Sequence, residues 1–228
     1  MARQPRWAVT GYPHLVRCIG HSGQRVFVDD DDRALCRDGL LSLAAREQVA
    51  LHAYVLLEVD VWLLATPQRD GALSRWIQAL GRAYVRAFNQ RHGRSGTLWD
   101  GRYRATVLAA DWVLPAMVML DTEPVRLGLA ATAEGWRWSS HGHYAGLAPQ
   151  RGLVAPAAWW GLGDTPFARE ASYQQRVRDG LPGAQAQRLR DAATKGWPLG
   201  EADFLADLQA QTGRRVTPAR PGRPRKSR

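Results

Sequence analysis

The stretch HAYVLLEVDVWLLAT, residues 52–66, decides how the rest of the chain folds. Most of its residues are aliphatic or aromatic, a composition typical of buried β-strands. Glu58, Asp60 and Trp62 interrupt it at every second position. Because side chains two residues apart on a strand point to the same face, we expect these three to share one face. The pattern predicts either the metal-binding edge of an active site or what remains of one.

The segments around this stretch predict further strands and a helix. Residues 52–66 are long enough for two strands, bent or paired near Glu58. Residues 7–28 favour one strand before a turn at Gly20 and a short strand after it, and residues 103–109 favour another. The aspartates at 29–32 precede an apolar repeat, which indicates a helix start because acids stabilise a helix N-terminus.

Two more helices complete the predicted architecture. Residues 73–89 place apolar side chains at helical spacing on one side, and residues 111–122 favour a helix that ends before Pro124. Strands that alternate with helices in this order predict an α+β fold, an antiparallel sheet with helices packed on one face.

The charge of the chain is concentrated in two segments. The 228 residues carry a net charge of +10, and residues 214–228 hold seven basic side chains and no acid. Between Arg75 and Arg104 the chain has seven arginines and one acid, Asp100. Guanidinium groups bind phosphate in a bidentate manner, so these arginines indicate a polyanion partner, although a solvated face would also explain those on the helix. The seven are Arg75, Arg82, Arg86, Arg91, Arg94, Arg102 and Arg104.

Other features narrow the class of protein. No stretch of 18 apolar residues predicts a membrane span, and the first 14 residues lack the apolar run of a secretory signal. Cys18 and Cys36 have no metal-type spacing, so we expect two reduced thiols. We therefore expect a cytoplasmic protein without a membrane partner, associated with the nucleoid if it binds DNA.

Several motifs together resemble one protein family. They are GYPHLVRCIGH (residues 11–21), LHAYVLL (51–57), ALGRAYVRAFNQRHGRSGTLWDGRYRAT (79–106), EPVRLGLAATAEGWRWSSH (123–141) and GRRVTPARPGRPRK (213–226). The chain is similar over nearly its whole length to the REP-associated tyrosine transposases, bacterial relatives of the single-tyrosine HUH transposases. The resemblance implies a ferredoxin-like palm and recognition of single-stranded or hairpin DNA.

The resemblance also implies a chemistry for which this chain lacks the residues. The family holds Mg²⁺ or Mn²⁺ with two histidines on one strand and attacks the phosphate with a helical tyrosine. In YVLLEVDVWLL, residues 54–64, the two histidine positions hold Asp60 and Trp62. In MLDTEPVR, residues 119–126, the tyrosine position holds Met119 and the family asparagine is Glu123.

These replacements leave three hypotheses open. The first is a DNA-binding protein on a transposase scaffold, without metal and without strand cleavage. The second is a divergent transposase or nickase with a metal on Asp60 and Glu58, since carboxylates suit hard cations, and an unassigned nucleophile for which Tyr84 and Tyr103 qualify by type. The third is an RNA-binding regulator.

The residue patterns also suggest how the chain divides. We expect a DNA-binding palm domain at residues 1–148, a helical appendage at 149–213 and a disordered basic tail at 214–228. The tail motif RPGRPRK resembles an AT-hook, whose arginines enter the minor groove of A·T-rich DNA. Its basic residues Arg223, Arg225 and Lys226 complete the expected DNA contacts.

Overall fold

The computed structural model describes residues 8–218 and contains one antiparallel sheet of four strands. The strands lie in the order β2-β3-β1-β4, so β3 and β1 are central. β2 and β3 form a hairpin whose turn is residues 57–59. The strand bounds are β1 His14–Ile19, β2 Val49–Leu56, β3 Asp60–Pro67 and β4 Arg104–Val107.

Eight α-helices accompany the sheet within the described residues. The first begins where the sequence predicts, because the Asp29 side chain caps it by accepting a hydrogen bond from the backbone N–H of Asp32. The helix bounds are α1 Asp30–Arg46, α2 Ala72–Arg91, α3 Val113–Arg126, α4 His141–Tyr144, α5 Ala157–Trp160, α6 Pro166–Asp179, α7 Gly183–Lys195 and α8 Ala202–Thr212.

The sheet is covered on both faces. Val61 and Leu63 of β3 pack into a core with α1 and α2. Trp62 and Leu64, which alternate with them, pack into a second core with α3, α6 and α7. The central strand therefore contributes side chains to two hydrophobic cores.

The α+β class, the antiparallel sheet and the hairpin are confirmed. The helices α1 and α2 pack on one face as expected, and the opposite face is covered as well, by α3 and helices C-terminal to it. Residues 24–28 form no strand, because Val26 instead packs beneath α2, where its carbonyl accepts a hydrogen bond from Tyr84. The third helix does not stop before Pro124, which lies in its last turn and removes only one backbone hydrogen bond there.

Some expectations lie beyond what the structure tests. Arg223, Arg225, Lys226 and the AT-hook-like motif fall outside the described residues. Among residues 8–218, no helix combines the length and apolar character needed to cross a bilayer.

His14 at the start of β1 shows how closely the sheet is packed. Its side chain is fully buried, its Nε2 accepts a hydrogen bond from the backbone N–H of Val9, and its Nδ1 donates to the carbonyl of Tyr12. Burial lowers the pKa of His14 to about 4, and the bond to Tyr12 opposes this only in part. The imidazole is therefore neutral in the folded protein near pH 7.

This burial predicts a loss of stability in mild acid. As the pH falls below about 6.5, the unfolded chain protonates His14 while the folded protein does not, so the free energy of unfolding falls. The loss continues until the folded pKa near 4 and reaches about 3 kcal/mol. We expect His14→Gln to weaken this pH dependence in urea denaturation between pH 7 and 4.5. The exposed His21, changed to Gln, is the control, and equal pH slopes for wild type and His14→Gln would contradict the prediction.

Candidate functional site: a closed ion pair and an arginine groove

Asp60 and Trp62 form one side of a compact cluster on the α3 face of the sheet. Arg17 of β1 lies directly opposite Trp62 in the strand register. Its Nη2 and Nε lie 2.5 and 2.6 Å from Asp60 Oδ2. The same oxygen accepts a hydrogen bond of 3.1 Å from the Trp62 indole, and the guanidinium carbon stands 4.7 Å from the Trp62 ring centre.

One expectation about this cluster is wrong. Glu58 lies in the β2–β3 turn, outside the strand, and makes a 3.3 Å ion pair with Arg25, so only Asp60 and Trp62 share the predicted face. Asp60 itself is not a solvated carboxylate at a sheet edge. It begins a central strand and is only 3% exposed, because β1 and β2 flank β3 on both sides.

The donor set at Asp60 does not fit a divalent cation. Burial raises the pKa of Asp60 above its ordinary value, and the charge and hydrogen bonds of Arg17 oppose that rise. One carboxylate oxygen already accepts bonds from Arg17 and Trp62, and an indole N–H cannot ligate a metal. Since Glu58 points elsewhere to Arg25, no second carboxylate from the turn completes a site. Arg17 supplies as a fixed side chain the positive charge that a cation would bring.

Met119 and Glu123 on α3 lie over this same face. Met119 is buried in the core that contains Trp62. Glu123 is 2% exposed and makes ion pairs with Arg126 at 2.5 Å and Arg190 at 2.6 Å. A thioether cannot form an ester with phosphate, and the nearby carboxylate is neutralised by two guanidinium groups. The position of the family tyrosine therefore holds a thioether in place of a hydroxyl.

Tyr84 and Tyr103 do not replace the missing nucleophile. The Tyr84 hydroxyl is buried, donates to the carbonyl of Val26, and has its pKa raised by burial. The Tyr103 hydroxyl lies 2.9 Å from that of Ser74 and packs with the α2 core. Both tyrosines belong to the face of the sheet opposite Asp60, as their membership of the α1–α2 core shows.

The predicted arginine surface divides into groups. Arg75 makes a 3.1 Å hydrogen bond to the carbonyl of Asp70, and Arg94 makes one of 2.9 Å to Gln24. Arg104 lies opposite Arg17 in the register, hence on the α3 face. Arg91 belongs to an acidic cluster, and Arg82, Arg86 and Arg102 line a groove.

Arg91 binds the N-terminus of α1. It forms ion pairs with Asp29, Asp31 and the fully buried Asp32. Asp29, Asp32 and His92 also place one ligand atom each within 4.8 Å of one another, the only such group among residues 8–218. Because the Arg91 guanidinium already bonds these acids, the cluster is best explained as a structural link between α1 and the end of α2.

The arginine groove lies between α2 and residues 97–103. Its volume is about 710 Å³, and its apolar floor includes Cys18, Ile77 and Val85. The exposed side chains of Arg82, Arg86 and Arg102 line it, and within the described residues none of the three makes an ion pair or a hydrogen bond through its side chain. Cys18 belongs to the α1–α2 core, so the groove and Asp60 lie on opposite faces of the sheet.

Backbone contacts fix the outer wall of the groove. Gly20, just after β1, forms an isolated β-bridge with Trp99, and the N–H of Asp100 donates to the carbonyl of Ile19 at 2.7 Å. A Cβ at Gly20 would lie 2.2 Å from the carbonyl oxygen of Gln24, so only glycine permits this close approach. Residues 97–103, part of the motif at residues 79–106, therefore build one wall.

The sequence alone does not identify two residues of these sites, Arg17 and Trp99. Arg17 stands 43 positions from Asp60, and no local pattern connects them. A single arginine inside the apolar strand HLVRCI was the available signal, since a buried charge needs a partner. The sequence indicates Trp99 only as part of a family motif, because its place in the groove depends on the contact with Gly20.

Comparison with known structures supports the fold. The chain is similar to a REP-associated tyrosine transposase solved with a REP hairpin, with a TM-score of 0.55 and 14% identity over 68% of this chain and 88% of that chain. This likeness shows the fold that the sequence motifs predicted. No protein-family model and no curated protein matches the chain.

Two further solved structures resemble the chain too weakly to support an inference about its fold or function. A candidate transposase from Deinococcus radiodurans R1 gives a TM-score of 0.35 at 20% identity, covering 57% of this chain and 92% of that chain. A bacterial tRNA(His) guanylyltransferase-like protein in complex with ATP gives 0.35 at 14% identity, covering 57% and 71%.

The Arg17–Asp60 pair yields a prediction about stability. Arg17→Leu leaves a buried carboxylate unpaired and should lower the free energy of unfolding by about 3–5 kcal/mol. The double variant Arg17→Leu/Asp60→Leu should regain most of that loss, because an apolar pair of similar volume suits the site. Urea denaturation measures both. Additive losses in the double variant would contradict the prediction, and Arg25→Leu, at an exposed ion pair, should cost less than about 1 kcal/mol.

Proposed function

We propose that the protein is a divergent member of the REP-associated tyrosine transposase family that binds single-stranded or hairpin DNA without cleaving it. The fold and the motifs at residues 79–106 and 123–141 support the family. The observation that carries the binding function is the convergence of Arg82, Arg86 and Arg102, three arginines without side-chain partners in the described structure, on one groove.

Residues on the α3 face support the proposal that the protein does not cleave DNA. There Arg17 and Trp62 both bond Oδ2 of Asp60, and Met119 stands where the family has its tyrosine. Strand cleavage by the family route needs a cation and a nucleophile on that face. The alternative of a metal on Asp60 and Glu58 loses its support, because these two carboxylates have different partners.

DNA binding is predicted to depend on the groove arginines. The triple variant Arg82→Ala/Arg86→Ala/Arg102→Ala should bind a labelled DNA hairpin at least about tenfold more weakly, with a salt slope reduced by about 3, because each phosphate contact releases counterions. Fluorescence anisotropy over a salt series measures both. Equal effects from the control triple Arg151→Ala/Arg176→Ala/Arg188→Ala, exposed arginines outside the groove, would contradict the proposal.

The same hairpin tests the absence of chemistry. Affinity should be unchanged by EDTA, and incubation with Mg²⁺ or Mn²⁺ should give neither nicked product nor covalent adduct on a denaturing gel. Either product would contradict this half of the proposal. A hairpin of the same sequence in RNA provides the comparison for an RNA-binding role, and tighter binding of that RNA would favour the regulator hypothesis.

A further inference from the structure

We propose that the arginine groove holds the base of one unpaired DNA nucleotide, with Arg82, Arg86 and Arg102 on the phosphates beside it. This inference rests on the proposed function and specifies which part of the DNA the groove recognises. Its basis is that the groove combines an apolar recess, an indole, a pair of hydroxyls and a cationic rim.

The recess has the size of a ligand site rather than of a phosphate-binding surface. Its volume of about 710 Å³ falls within the range of roughly 300–1,000 Å³ that small-molecule sites occupy. Phosphate contacts require only exposed cations, and they explain the arginines but not an apolar floor of Cys18, Ile77 and Val85. A nucleobase is the apolar, planar part of DNA, and it becomes available to such a recess only where the strand is unpaired.

Trp99 supplies a surface for the base. Its indole lines the groove, is partly exposed, and is supported from behind by Tyr84, with 6.1 Å between ring centres. Its backbone is held by the bridge to Gly20, so little ordering is needed on binding. Bases stack on aromatic rings without strong sequence preference, so Trp99 could accept any of the four bases.

Polar groups lie where a base edge would reach. The hydroxyls of Ser74 and Tyr103 are 2.9 Å apart in the groove lining, and each can donate or accept. Gln78 adds an exposed amide on α2. The lining includes one acid, Asp100, against three arginines, so the groove is complementary to an anionic strand.

Gly81 offers a variant that fills the groove without removing charge. A Cβ at Gly81 lies 3.9 Å from the Trp99 ring, an ordinary contact, so a longer side chain enters the recess beside the indole. Gly81 is inside α2, where leucine favours the helix more than glycine does. Gly81→Leu should therefore fold, and Gly81→Ala is the matched control that leaves the recess open.

The test uses a DNA hairpin with a short unpaired flank that carries 2-aminopurine at successive positions. Wild type and Gly81→Ala should change the 2-aminopurine signal at one position. Gly81→Leu and Trp99→Leu should abolish that change and weaken binding about 10- to 100-fold, the effect expected for loss of one stacked base. A blunt hairpin without unpaired nucleotides should bind wild type and Gly81→Leu equally.

Two results would overturn the inference. Binding of the flanked hairpin by Gly81→Leu with wild-type affinity and signal would show that no base enters the groove. A signal with the free 2-aminopurine nucleotide that flanked DNA fails to reproduce would assign the groove to a small molecule instead. Failure of the proposed function is distinguishable, because the wild-type protein would then bind neither the flanked nor the blunt hairpin.

Discussion

A central strand of a sheet covered on both faces must supply two cores at once, and β3 does so with alternate residues. Val61 and Leu63 face α1 and α2, whereas Trp62 and Leu64 face α3. A polar side chain in such a strand cannot form hydrogen bonds with water, so it needs a hydrogen-bonding partner from a neighbouring strand. Asp60 has that partner in Arg17 of β1.

This constraint explains why the two candidate sites differ in character. On the α3 face each charge near β3 already has an opposite charge within the protein: Asp60 with Arg17, and Glu123 with Arg126 and Arg190. On the α2 face Arg82 and Arg86 project from a helix surface that the core does not use, and Arg102 lies in the facing loop. Among the described residues, charge is therefore paired internally at Asp60 and Glu123 and left without an ion pair at the groove.

The sequence predicts the elements whose signals are local. The aspartate run identified the start of α1, the apolar period identified α2, and the residues around Glu58 identified the hairpin. The second covered face was signalled by the nearly continuous apolar run of β2, which is typical of strands buried on both sides. Pairings between distant segments, such as Arg17 with Asp60, were not predictable because they depend on strand order and register.

The placement of the groove and the ion pair on opposite sides of β3 has a consequence for how such proteins diverge. A layer of packed apolar side chains separates the two sites, so a substitution at one reaches the other only through the backbone of a rigid strand. Residues at the two sites can therefore be substituted, and selected, independently of each other.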